Sequence, residues 1–350
     1  MKAVKEWIVE GWFGGTGFIS LISALVCVAS VCPAVLGGCA RTVSPPTRSE
    51  RADELLGIGM EQYHKGNYEA AVVRFKAALD TSASVDYQKG VADALNNIAT
   101  AQLRQGNYEE ALANYGHALE IYRTLDNAEG IATTLLNMGS LYSASQDSES
   151  ANRYYNMAME AAQTGKLRRL EAKALNNLGL LMKEAGDYDS ARELYTRSLA
   201  INRREDNRTA SADNLNNLGT LSLYTGDPDA AIEYYGHALQ IDKELEIPEA
   251  IALDLFNIAS AYHARENFPV ALDYYGRALA IFDFISNRQR IADTLYRIGL
   301  VSEKVGNPHR AVESYRSALD VATAAGMQTL AERARSKIDE LASSDALPEQ

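Results

Sequence analysis

The stretch Gly66-Asn67-Tyr68-Glu69-Ala70-Ala71-Val72-Val73-Arg74-Phe75-Lys76-Ala77-Ala78 decides the fold, because its pattern returns in one phase along the chain. Its central alanine recurs as Ala71, Ala111, Ala151, Ala191, Ala231, Ala271 and Ala311, each 40 residues after the last. The aromatic four residues later recurs as Phe75, Tyr115, Tyr155, Tyr195, Tyr235, Tyr275 and Tyr315. A fixed period of this length marks an array that grows along one axis by stacking like units, not a chain collapsing around one core.

Each unit reads as two helices. The first carries an apolar stripe with a spacing of three, as in Leu95/Ile98, Leu135/Met138, Leu175/Leu178 and Leu215/Leu218. A small residue follows in every copy: Gly59, Ala99, Gly139, Gly179, Gly219, Ala259 and Gly299. It predicts close approach of the second helix, which outweighs the propensity cost of a helical glycine, about 1 kcal/mol. The turn between the helices carries Gly66, Gly106, Gly186, Gly226 and Gly306, suited to a left-handed helix end. Gln146 and Glu266 stand in the other two copies, which predicts blunter turns there. The next residue is Asn67, Asn107, Asp147, Asp187, Asp227, Asn267 or Asn307, all side chains that cap helices. Gly116, Gly236 and Gly276, inside second helices, predict close helix contact. Ser198, in place of a packing alanine, predicts little change. Leu330 to Ser343 reads as a final amphipathic helix that solvates an open end of the array.

The order of leucine, apolar–small pair, turn glycine, aromatic and alanine resembles the tetratricopeptide repeat family over about residues 52–344, and the 40-residue period resembles the longer-helix repeats of kinesin light chain. The resemblance implies an all-α fold, an α-solenoid of about seven helix-turn-helix units forming a right-handed superhelix with a C-terminal capping helix. The corresponding division is 52–330 for seven repeats, 331–344 for the cap and 345–350 for a frayed tail.

One phase of the first helix invites a functional reading. Asparagine precedes the apolar–small pair in five successive repeats, as Asn97, Asn137, Asn177, Asn217 and Asn257; Gly57 and Arg297 hold this phase in the first and seventh. Asparagine is a poor helix-interior residue, so its recurrence needs a cause. An amide both donates and accepts and can grip a peptide backbone irrespective of sequence. In similar proteins asparagines of this phase line the groove and bind an extended peptide, which makes the five asparagines and Arg297 candidate peptide-binding residues. Arg297 and Arg104 would pair with a ligand carboxylate. The other reading is that the asparagines bridge neighbouring first helices and do no more.

The N-terminal segment points elsewhere. Lys2 and Lys5 precede an uncharged run from Phe18 to Leu36, and Leu36-Gly37-Gly38-Cys39 follows. That sequence resembles a bacterial lipobox. By the resemblance, 1–38 is a signal peptide, Cys39 is cleaved to the N-terminus and acylated, and 39–51, with Pro45 and Pro46, is a flexible tether. Ala40 after the cysteine implies outer-membrane sorting, facing the periplasm of a bacterial cell envelope. An uncleaved membrane helix and an ordinary cleaved signal are the alternatives.

Composition limits the remaining classes. The chain has 350 residues and a formal net charge of −12, with no dominant basic patch of the kind that neutralises phosphates, so no nucleic-acid partner is expected. The three cysteines, Cys27, Cys32 and Cys39, all precede the repeats, and the five histidines are scattered and read as surface residues. No cofactor and no metal are therefore expected. No phosphate loop, nucleophile elbow or clustered titratable constellation supports an enzyme. The sequence thus reads as a non-enzymatic scaffold for protein or peptide partners, lipid-anchored and active in envelope assembly. The alternative is a signalling regulator with an uncleaved anchor.

Overall fold

The computed structural model describes residues 46–343; the signal, Cys39 and most of the tether lie outside the described residues, as does the tail after Ser343. Among the described residues fifteen helices follow one another. First helices of the seven repeats are α1 (Arg48–His64), α3 (Gln88–Arg104), α5 (Ala128–Ala144), α7 (Arg168–Glu184), α9 (Arg208–Tyr224), α11 (Pro248–Ala264) and α13 (Arg288–Lys304). Second helices are α2 (Tyr68–Ala83), α4 (Tyr108–Thr124), α6 (Ser148–Thr164), α8 (Tyr188–Arg204), α10 (Pro228–Glu244), α12 (Phe268–Phe284) and α14 (Pro308–Ala324), and α15 (Gln328–Ser343) closes the array. The helix begins at Arg48, inside the stretch read as tether. Thr47 fixes that start with a capping box, its hydroxyl accepting the Glu50 N–H at 3.2 Å while the Glu50 carboxylate accepts the Thr47 N–H at 2.6 Å.

Each helix packs on its sequence neighbours, and successive first helices also touch, as α1 on α3, α3 on α5, α5 on α7 and α9 on α11. No pair of successive second helices is in comparable contact among the described residues. The first helices therefore form the inner side of the array, and their exposed face is the floor of a groove.

Within a repeat the two helices meet where an aromatic ring covers the small residue. A Cβ added at Gly219 would lie 2.6 Å from Cε1 of Tyr235, and one at Gly139 would lie 2.4 Å from Cδ1 of Tyr155. Gly59, Gly179 and Gly299 are covered in the same way by Phe75, Tyr195 and Tyr315. The ring is fully or almost fully buried in all seven repeats. In four repeats its hydroxyl finds a partner on the first helix one position after the small residue: Tyr115 with Thr100 at 3.0 Å, Tyr155 with Ser140 at 3.3 Å, Tyr235 with Thr220 at 3.0 Å and Tyr275 with Ser260 at 3.0 Å. Where the partner position is Met60 the ring is Phe75, which has no hydroxyl to satisfy. Leu180 breaks the pairing, and the buried Tyr195 hydroxyl has no hydrogen-bond partner among the described residues. Tyr315, opposite Leu300, bonds instead to the Glu303 carboxylate.

Turns within and between repeats share one geometry. The Gly66 N–H bonds to the Tyr63 carbonyl at 2.9 Å and the Asn67 N–H to the Gln62 carbonyl at 2.9 Å, a Schellman closure with Gly66 at φ +79°. Gln146 (φ 63°) and Glu266 (φ 62°) adopt it as well, so the expected blunting of those two turns does not occur; the side chain bears the left-handed strain instead. Capping is less uniform than the composition implies. Asp147, Asp187, Asp227 and Asn307 accept from the backbone N–H three residues on, whereas Asn67, Asn107 and Asn267 make no such bond. Close contact does not explain Gly116, Gly236 and Gly276, where an added Cβ would meet nothing within 4 Å.

At the C-terminal end α15 buries Leu330 and Ala334, lays Arg333 over the Tyr296 ring at 4.7 Å and sets Lys337 3.6 Å from Glu303. Its opposite face is polar, as the end of an open array requires.

The hydroxyl accounting makes a direct prediction. Tyr115→Phe removes the bond to Thr100, whose hydroxyl still donates to the Asn96 carbonyl at 2.8 Å, and should cost about 0.5–1.5 kcal/mol, whereas Tyr195→Phe removes an unmet buried hydroxyl and should be neutral or stabilising. Urea unfolding of the two variants checks the difference.

The groove asparagines as a candidate peptide-binding site

The five asparagines sit mid-helix on α3, α5, α7, α9 and α11, all half-buried, on the groove side. The structure divides them by what precedes them one repeat earlier. The Asn137 amide donates to Asn96 Oδ1 at 3.2 Å, Asn217 to Asn176 Oδ1 at 2.8 Å and Asn257 to Asn216 Oδ1 at 3.3 Å. Each acceptor is the first residue of an Asn-Asn doublet or its equivalent in the preceding repeat. For Asn97 and Asn177 that position holds Leu56 and Leu136, and neither asparagine makes a side-chain hydrogen bond among the described residues. Both readings of the asparagine phase are therefore represented. Three amides bridge neighbouring first helices, each with acceptor capacity still unused, and two face the groove with all their hydrogen-bonding capacity unspent.

The bridging network runs deeper between the fourth and fifth repeats. Asn176 Oδ1 also accepts from Asn214 at 2.9 Å, Asn202 donates to Asn214 Oδ1 at 2.8 Å, and the Ser198 hydroxyl sits between the Ala172 carbonyl at 2.7 Å and Asn214 Oδ1 at 3.1 Å. Ser198, Asn202 and Asn214 are buried, so Ser198 is a member of a satisfied polar joint and not a neutral substitute for alanine. Asn177 opens beside this joint into a cleft of about 360 Å³, with Arg169 and Lys173 at its edge. Sequence reasoning passed over Asn202 and Asn214. The signal available to it was that three departures, at 198, 202 and 214, fall in one repeat boundary.

Arg297 is exposed and helps line a second cleft of about 470 Å³, formed by α9, α11, α12, α13 and the α11–α12 turn. Lys304, His263, Phe268, Leu223 and Ser260 also line it, and Glu266 is its acid. His263 is half-buried here, not a surface residue; burial, then the charges of Arg297 and Lys304, hold its imidazole below the usual pKa. Near neutral pH the cleft thus presents two fixed cations beside an uncharged ring. Arg104 is exposed, but its guanidinium donates to the Tyr63 hydroxyl at 2.9 Å at the other end of the groove. Tyr224, 64% exposed, lies against Tyr188, ring centroids 6.1 Å apart.

Among the described residues no cluster of His, Cys, Asp and Glu could hold a metal ion, and no helix is long and apolar enough to cross a membrane. Cys39, the candidate lipidation residue, lies outside the described residues.

The division of the asparagines predicts a division of variants. Asn137→Ala or Asn217→Ala removes a bridging bond and should destabilise the array by about 0.5–1.5 kcal/mol, while Asn97→Ala and Asn177→Ala should stay within about 0.5 kcal/mol of the parent. Chemical unfolding followed by circular dichroism reads the contrast.

Comparison with known proteins agrees with this architecture. No curated protein matches the chain. Among solved structures, a Rap protein complexed with competence and sporulation factor is 18% identical with a TM-score of 0.60, covering 83% of this chain and 79% of that one. A signal transduction ATPase with a tetratricopeptide repeat sensor from Pyrococcus horikoshii is 15% identical with a TM-score of 0.67, covering 86% of this chain and 50% of that one. BtubC (BKLC) from P. vanneervenii is 20% identical with a TM-score of 0.53, covering 68% and 91% respectively. These likenesses are of fold. The tetratricopeptide repeat profile itself matches residues 51–124, 90–164, 170–244 and 249–324, and with the helix pairs described above it places the chain in the tetratricopeptide repeat family.

Proposed function

We propose that the chain is a non-enzymatic scaffold that binds an extended peptide segment of a protein partner along its groove. The observation that carries this reading is the pair Asn97 and Asn177: half-buried groove amides with no partner of their own, on the same face as three amides that bridge repeats. A peptide backbone supplies both a carbonyl and an N–H to such amides whatever its side chains. At the far end, Arg297 and Lys304 would receive a carboxylate of the ligand, with Phe268 and Leu223 covering its apolar neighbour. The solved Rap conjugation gene regulator of plasmid pLS20 in complex with the Phr* peptide, 15% identical with a TM-score of 0.59, is a fold relative that holds a peptide, which supports this class of ligand.

In this proposal the scaffold is held at a membrane by acylated Cys39, on the strength of Leu36-Gly37-Gly38-Cys39, and works in envelope assembly from the periplasmic face of the outer membrane. The second reading, a signalling regulator with an uncleaved N-terminal anchor, draws on the likeness of fold to that Rap conjugation gene regulator. Radiolabelled palmitate separates the two: label lost in Cys39→Ala supports the lipoprotein, and absence of label in the parent supports the regulator.

For the groove, the informative variant is Asn97→Ala/Asn177→Ala, which touches no bridging bond. Crosslinking capture of partners from the native envelope should fall at least about tenfold, equivalent to roughly 1.4 kcal/mol, with the melting midpoint unchanged. Unchanged capture by this variant and by Arg297→Glu would remove the groove as the binding site.

A further inference from the structure

The joint between the fifth and sixth repeats is built differently from the one before it. Asn202 and Asn214, which hold α8 to α9, have their counterparts 40 residues on in Asp242 of α10 and Asp254 of α11. Asp242 is 3% exposed and Asp254 not at all. Two amides can bond to each other as they stand, as the 2.8 Å bond from Asn202 to Asn214 shows. Two carboxylates have no hydrogen to share and repel one another in a buried setting. One Asp254 oxygen accepts from the Asn216 amide at 2.7 Å; the other, Oδ2, is buried with no donor among the described residues. A proton on one of the two acids supplies the missing donor.

We propose that Asp242 and Asp254 form a buried acid–carboxylate pair whose single shared proton latches the fifth repeat to the sixth, and that losing this proton as pH rises loosens that one joint. The surroundings favour holding the proton. Asp213 of α9, exposed at the groove rim, adds a third negative charge acting on Asp254. From α10 the nearly buried Tyr235 ring faces the pair, its hydroxyl engaged with Thr220 of α9. From α12, Ala278 and Phe282 close the same apolar cluster. Lys243 and Glu244, which follow Asp242, are exposed, and Glu244 is paired outward with Arg208. Burial is the main cause that raises both acids above the usual carboxylate range.

The sign of the effect follows from the direction of these shifts. In the unfolded chain the carboxyls ionise near their ordinary value of 3.8, whereas the folded pair keeps a proton well above it. The folded state then binds more protons than the unfolded one, so stability from this pair is greatest below the ordinary value and declines as pH rises until the shared proton is lost. The loss is coupled to the groove, because Asn216, which donates to Asp254, accepts from Asn257. It also bears on the turn, because the Asp242 carbonyl accepts the Ile247 N–H that closes α10.

The test is thermal unfolding of the full chain from about pH 5 to about pH 9, for the parent, Asp254→Asn and Asp242→Asn. Either amide restores a donor without a proton. The parent midpoint should fall across the range by roughly 5 °C more than that of either variant. Amide hydrogen exchange gives a local reading. At high pH the Leu245–Ile247 turn should lose protection relative to the Glu205–Asn207 turn in the parent and not in the variants. Superimposed pH profiles for all three proteins, or equal protection of the two turns throughout, would overturn the proposal. Should one variant fail to fold, the other and the parent's exchange pattern still decide it.

Discussion

The array depends on one contact repeated seven times: the aromatic ring of each second helix pressed onto the small residue of the first. With glycine beneath it the ring sits where a Cβ would be, so the two backbones approach as closely as a ring's thickness allows. That distance sets how the pair presents its outer surfaces to the next pair, and so the packing of the whole. The tyrosine hydroxyl adds a directional element, bonded in four repeats to Thr or Ser of the first helix and in the seventh to Glu303 of that helix. Repeat one uses Phe75 opposite Met60 and needs no such bond. Repeat four keeps the tyrosine opposite Leu180 and leaves a hydroxyl unmet. Apolar burial of a full aromatic ring, about 1.5–3 kcal/mol, exceeds the cost of that single unmet group in most settings, which lets the fold tolerate it.

Between repeats the packing is more varied, and there the polar residues collect. Positions 162 and 174 hold Ala162 and Ala174, positions 202 and 214 the bonded amides Asn202 and Asn214, positions 242 and 254 the acids Asp242 and Asp254, and positions 282 and 294 Phe282 and Thr294. All four pairs occupy one phase of the repeat. A solenoid's stability is a sum over such interfaces, so each joint can differ in strength without disturbing the others. The polar joints flank the middle of the groove, and their amides are continuous with those on its floor. Two hydrogen-bonded groups result, one joining Asn176, Asn202, Asn214 and Asn217 and the other joining Asn216, Asp254 and Asn257.

Much of this was legible in the sequence because the features that build the fold recur. The 40-residue period and the small residue under the ring follow from local chemistry read seven times over, and the turn glycines from chemistry read five times. What escaped the reading was what occurs once. Ser198 looked like a mild replacement until Asn202 and Asn214 were seen to lie against it, 4 and 16 residues away in sequence. Gln146 and Glu266 accept the left-handed turn because the Schellman bonds around them are made regardless of side chain. Gly116, Gly236 and Gly276 face open space and have no packing account. The asparagine phase was visible, but whether a given amide would bridge or stay unpaired turned on the residue 41 positions earlier, a register that only the superposition of neighbouring first helices reveals.

The central claim is that one phase of asparagines performs two tasks, bridging at Asn137, Asn217 and Asn257 and remaining open to a ligand at Asn97 and Asn177. Side-chain amide hydrogen exchange, followed by NMR on the ligand-free protein, tests this most directly. The account predicts one slowed Nδ2 hydrogen at each of the three bridging residues and exchange typical of a solvated amide at Asn97 and Asn177. Uniform exchange at all five, fast or slow, would contradict it.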